Sequence, residues 1–161
     1  MAVTEDQLRQ IATSFLSAFD TLSATDHIAL RADTCTHLFA PASIGIPPKS
    51  NADFANHILN NIVPLASSFR VDAKETHVHT TAAGGQVTIW ATGTPMFREE
   101  VMDGEEGEWK YTGEYIFILD VDEEGKIVRV LEFLDSAGTA HLRGLMVRAR
   151  RNLGTSDRKA W

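Results

Sequence analysis

Residues 108–135 read EWKYTGEYIFILDVDEEGKIVRVLEFLD, and this stretch decides the fold. Its first half places Trp109, Tyr111, Gly113, Tyr115, Phe117 and Leu119 at odd positions, with Lys110, Thr112, Glu114 and Asp120 among the even ones. A period of two is the mark of a strand with one buried face. The acidic turn Asp122–Gly125 interrupts the pattern, and an apolar run resumes at Ile127. Strands over 108–121 and 126–134 are therefore expected to pair as a hairpin. Upstream, residues 69–80 and 85–97 read as two further strands around the turn signal Gly84-Gly85. The charged stretch Arg98–Gly107 reads as a long connection.

Ahead of the strands the period is helical. Thr4 and Gln7 form a capping pattern before Leu8, Ile11, Ala12, Phe15, Leu16 and Phe19, which predicts a helix over 4–22. A short helix to about Leu30 follows, then a short strand over 34–39 and a proline-broken loop over 41–48. Ser50 or Asn51 caps a third helix over 51–63, with Phe54, Ile58, Leu59 and Ile62 on one face and Pro64 as its stop. A last helix is predicted over 136–153, and residues 154–161 as a mobile tail. Helices followed by long antiparallel strands give an α+β order. The expected architecture is a single domain over 1–153. In it a strongly bent, mostly antiparallel sheet forms a cone-shaped barrel around the N-terminal helices, with an extra C-terminal helix and a pocket inside.

With 161 residues, the chain is long enough to bury one core but not to carry a cofactor domain beside a substrate domain. Acidic residues outnumber basic ones 22 to 15, which argues against a nucleic-acid partner. The basic excess is confined to the last helix and tail, where it suits the helix dipole. The one cysteine, Cys35, leaves no internal disulfide and fits a reducing, cytoplasmic setting. No apolar run approaches a membrane span, and the acidic N-terminus lacks the order of a secretory signal.

Signatures of dinucleotide binding, phosphate loops, zinc proteases and nucleophile elbows are absent. The pairs His77/His79 and Cys35/His37 sit two apart on strands, which alone is weak support for a metal. Neither a metal nor an organic cofactor is expected. More telling is Glu132, which shares a strand face with Val128, Val130 and Leu134. A carboxylate there must be paired, protonated or turned to a polar cavity. Desolvation would raise its pKa and fit it for acid–base work, although a structural ion pair would explain it as well. Arg31, placed at the end of the short helix, is the natural partner cation. Tyr111 and Tyr115 share the face of the preceding strand, about 13–14 Å apart, and could line two levels of one cavity. His37 is a further candidate for proton transfer. At the strand-to-helix junction, capping suffices to explain Asp135.

The segments Arg31–His37, Gly107–Tyr115 and Val130–Ser136 resemble the SnoaL-like branch of the nuclear transport factor 2-like superfamily, nearest to small fungal proteins of secondary metabolism. That branch includes isomerases, cyclases and dehydratases that need no metal or organic cofactor. In a semipinacolase of the branch, an Arg, two tyrosines four apart on one strand and a Glu on the next form the site. Arg31, Tyr111, Tyr115 and Glu132 match those types in that order. The resemblance thus implies a cofactor-independent isomerase or cyclase acting on a polycyclic natural-product intermediate, and a homodimer through the outer sheet face. A dehydratase, resting in that fold on two histidines and an Asp, and a noncatalytic binding module are the alternatives.

Overall fold

The computed structural model describes residues 2–155. In chain order its elements are α1 (Glu5–Asp20), α2 (Ala24–Ala29), β1 (Arg31–Ala40), α3 (Asn51–His57), β2 (Ala66–Thr81), β3 (Gly84–Phe97), β4 (Gly113–Asp122), β5 (Ile127–Leu134) and α4 (Ser136–Leu153). The strands form one sheet in the order β1-β5-β4-β3-β2. β1 runs parallel to β5, and the other neighbours are antiparallel.

This corrects the expected cone-shaped barrel. β1 and β2 each have a single sheet neighbour, so the sheet has two edges; it is neither closed nor strongly curled. The edge strand β2 carries Arg70, Asp72, Lys74 and Glu75 in exposed positions, and charge of this kind keeps an open edge from pairing with another chain. Alternation along a strand marks its two faces. It does not say whether the sheet's ends meet.

One face of the sheet carries Val87, Ile89 and Ala91 from β3, Tyr115, Phe117 and Leu119 from β4, and Val130, Glu132 and Leu134 from β5, all buried. α1 covers the β2–β3 side of it. Phe15 of α1 packs edge-on against Phe117 at 5.2 Å and Phe19 at 5.3 Å, and His27 of α2 lies 4.4 Å from Phe19. Such aromatic contacts add to the burial of apolar area that holds helix and sheet together. The starts of α1, α3 and α4 follow their sequence signals, whereas α2 is capped by Ser23 and not by Thr25 or Asp26. Thr4 and Gln7 complete the capping box of α1, Ser50 that of α3 with Asp53, and the Asp135 carboxylate accepts from Ala137 N at 3.1 Å to cap α4.

Three boundaries differ from expectation in ways that matter for the site. The strand expected from residue 108 starts at Gly113, because Glu106–Trp109 forms a 3₁₀ turn. Its indole donates to Asp103 O at 2.7 Å and lies under the Arg148 guanidinium at 4.8 Å. Arg31 is the first residue of β1 and does not close the helix before it. The third helix ends at His57 and passes into a π-turn over Ile58–Ile62, where Val63 N donates to Ile58 O. That wider turn rotates the following residues, so that Ile58 and Ile62 face inward. Leu59, expected on the same face, is 53% exposed. Most of the tail expected over 154–161 lies outside the described residues. Gly154, with φ of 71°, ends α4 in the left-handed region.

Phe15 is fully buried between helix and sheet. Phe15→Ala should destabilise the fold by about 3–5 kcal/mol. A loss below about 1 kcal/mol in urea denaturation would show that α1 does not anchor on β4.

Candidate active site

The site is built on the parallel pair. Phe39 of β1 stands opposite Glu132 of β5, with His37 opposite Val130. His37 is fully buried and stacked against Phe39 and Phe54, each with ring centroids 4.6 Å away. Arg31 is 4% exposed, with its guanidinium 4.1 Å over the Phe54 ring. Its Nη2 donates to His37 Nδ1 at 3.1 Å, and His37 Nε2 meets Glu132 Oε2 at 2.8 Å. Arg31 and Glu132, expected as direct partners, make no ion pair with each other; a histidine is set between them.

This line fixes the position of its protons. A guanidinium only donates, so His37 Nδ1 must accept. The imidazole proton then sits on Nε2 and points to Glu132 Oε2. Burial, together with the positive charges of Arg31 and Lys49, holds His37 well below the usual imidazole range, so it is neutral. Burial raises Glu132 to about 8, against the opposing pull of Arg31. Glu132 is thus mainly protonated at neutral pH. Since Oε2 accepts from His37, the carboxyl proton belongs on Oε1. Burial lowers Arg31 to about 10, which still leaves it charged. Burial pushes the Cys35 thiol up, away from the range of a reactive thiolate.

Tyr115 and Tyr111 meet at their hydroxyls, 3.4 Å apart. The spacing of 13–14 Å expected along the strand does not keep the phenols apart: Tyr111 lies before β4 begins, and both hydroxyls converge over Gly113. Gly113 pairs with Gly93 on β3. A Cβ on Gly113 would collide with the Tyr111 hydroxyl, and one on Gly93 would lie 2.6 Å from Phe69 and 2.8 Å from Tyr115. Two facing glycines thus make room for the two phenols. Burial raises the Tyr115 pKa well above the ordinary phenol value, so its hydroxyl remains a donor.

Glu132 and Tyr115 line a pocket walled by Phe39, Phe54, Phe69 and Phe117, with His57 and Thr139 adding polar edges. Its free volume is about 50 Å³, so a large ligand enters only if wall side chains swing aside. Arg31 and His37 stand behind Glu132 rather than in this wall. Tyr111 faces a separate surface groove, with Phe97, Met102 and Trp109. His57 was not singled out by the sequence. Its place three residues after Phe54, on the buried side of α3, was the available signal. Asn61 Nδ2 donates to His57 Nδ1 at 3.2 Å, and burial lowers its pKa to about 3. Among the described residues no cluster of three His, Cys, Asp or Glu side chains could hold a metal ion, and His77 and His79 are exposed on β2.

These electrostatics set a slope of stability with pH. Glu132 titrates higher in the folded than in the unfolded chain, so its contribution is full below about pH 4.5 and lost as pH rises towards 8. The depressed histidines act oppositely, but only below about pH 6.5. Between pH 6.5 and 8 the unfolding free energy should fall by up to about 2 kcal/mol in chemical denaturation, and Glu132→Gln should flatten that fall. An equal slope in the variant would remove Glu132 as its source.

No family model matches the chain. It is 23% identical over 138 residues to the austinoid biosynthesis clusters protein H of Penicillium brasilianum, spanning 85% of this chain and 88% of that protein. Its structure is similar to that of PrhC from Penicillium brasilianum, with a TM-score of 0.77 at 16% identity over 96% of this chain and 97% of that one. It is similar also to BvnE pinacolase from Penicillium brevicompactum, with a TM-score of 0.71 at 19% identity over 89% and 96% of the two chains. The resemblance read in the sequence therefore holds at the level of architecture: this chain shares the fold of PrhC and of BvnE pinacolase.

Proposed function

We propose that this protein is a cofactor-independent isomerase or cyclase acting on a polycyclic natural-product intermediate. The observation that carries the reading is Glu132, a buried and protonated carboxyl held by the His37–Arg31 line at the wall of an apolar pocket. Glu132 is the general acid. It gives the Oε1 proton to a substrate oxygen, a bond migrates or a ring closes at the electron-deficient carbon this creates, and the carboxylate takes a proton back. No oxidant or reductant is needed, because the substrate is rearranged without change of redox level. Tyr115 orients the reacting oxygen with its hydroxyl, and Tyr111 holds Tyr115 through the phenol pair. His37 and Arg31 position Glu132 without touching substrate. The pinacolase named among the similar structures fits this chemistry.

Dehydration is a second use of the same acid, and one observation favours it: His57 lines the pocket that Glu132 lines, while His37 is bonded to Glu132 from behind, where the sequence offered no convincing pair of histidines. A homodimer through the outer sheet face also belongs to the proposal. Trp90, Ile116 and Phe133 lie opposite one another across β3, β4 and β5, and are 38%, 41% and 48% exposed. A row of this kind is the sort of patch that interfaces cover.

Deleting the gene in its native host should accumulate one intermediate, which the purified protein should convert in the presence of a chelator. Glu132→Gln keeps the acceptor for His37 but removes the acid. It should stay folded, melting no lower than the wild type at neutral pH, and lose about 10²–10⁴-fold in rate. Unchanged turnover would end the assignment. Because the acid form is the active one, kcat/KM should be level near pH 7 and fall above about pH 8; a rise there would make Glu132 a base. Ile116→Glu should turn a dimer into a monomer in sedimentation equilibrium, whereas a wild-type monomer would refute the interface.

A further inference from the structure

Lys49 has no role in the chemistry above. It is 8% exposed, and among the described residues its ammonium makes no ion pair and no hydrogen bond. Its one recorded side-chain contact is with Phe39, whose ring centroid lies 5.9 Å from Nζ. The stem is buried while the ammonium opens on a surface groove, the usual arrangement for a long basic side chain, and this leaves its charge available to a ligand. The position is held firmly, because Lys49 N donates to His37 O and His37 N donates to Lys49 O, both at 2.9 Å.

That bridge puts Lys49 at the boundary of two spaces. Phe39 lines the inner pocket and stands opposite Glu132. On its other side, Lys49 lines an open groove of about 550 Å³ with Asp53, Asn56, His57, Asn60 and Asn61. His57 belongs to both walls, so the groove and the pocket adjoin. The amides offer neutral hydrogen bonds. Asp53 is the one acid in the groove's lining, and its carboxylate is engaged by Ser50, whose Oγ donates at 2.9 Å. Inside the pocket the only carboxyl is Glu132, while Arg31, Lys49 and Arg150 all bring positive charge to bear on its histidines. Among the described residues Asp53, the one acid lining the groove, makes no ion pair with Lys49.

We propose that Lys49 anchors an acidic group of the ligand, a carboxylate or comparable oxyanion on an otherwise apolar molecule, at the junction of groove and pocket. The apolar part reaches past Phe39 towards Glu132, and the acidic group stays at the ammonium with the asparagine amides around it. This names a substrate class for the site of the proposed function. It rests on that pocket being the substrate site, but not on what Glu132 does there.

The test is binding, read without turnover. Benzoate and 2-naphthoate would be compared with benzamide and 2-naphthamide by isothermal titration at pH 7 and low salt. The acids should bind about ten- to a hundredfold more tightly than their amides, the range for a hydrogen bond to a charged group. Lys49→Met should erase that preference, and Lys49→Arg, which keeps the charge, should retain it. Acids that bind no better than amides, including no binding of either, overturn the proposal, as does a preference that survives in Lys49→Met. Glu132→Gln should keep the preference while losing turnover, so failure of the anchor and failure of the acid chemistry are told apart.

Discussion

The hydrogen bond from His37 to Glu132 is the interaction on which the site depends. It joins neighbouring parallel strands and lets a carboxyl sit on the inner face of a sheet without an adjacent charge. Remove it, and a desolvated acid would be left in a wall of phenylalanines. Much of the local architecture serves this one contact. Phe39 and Phe54 sandwich the imidazole, Arg31 fixes its tautomer, and the main-chain bridge to Lys49 holds β1 in place from outside.

A second constraint is steric. Two tyrosines four apart on a flat strand would keep their hydroxyls far from each other. Here they meet because both rings lean over Gly113, which like Gly93 opposite offers no side chain. Strand geometry, rather than a binding motif, thus decides that one phenol belongs to the pocket and the other to the surface beside it.

Much of this was legible in the sequence. The alternation around Phe117 and Val130 placed Glu132 on the inner face, the capping residues placed the starts of α1, α3 and α4, and the types Arg, His, Tyr and Glu were recognisable as a set. What escaped reading was non-local. Whether a sheet closes depends on how far its edge strands lie apart, which no period of two records. Arg31 changed from the end of a helix to the start of a strand because its backbone is claimed by β5, almost a hundred residues away. Leu59 was misjudged for a local reason that the pattern still concealed. A π-turn carries one more residue per turn, so spacing read at helical period loses the face after His57.

The tautomer of His37 has a wider consequence. A chain of exchangeable protons can conduct only if each member can both give and take. The line behind Glu132 ends at a guanidinium, which gives but does not take. On that side the carboxyl is sealed from bulk solvent. A proton lent to the substrate has no rear exit through which to be replaced, and a proton recovered has none through which to leave. In the proposed role Glu132 is a closed reservoir holding a single hydrogen, suited to reactions whose products have the same number of protons as their substrates. Rearrangement and ring closure are reactions of that kind.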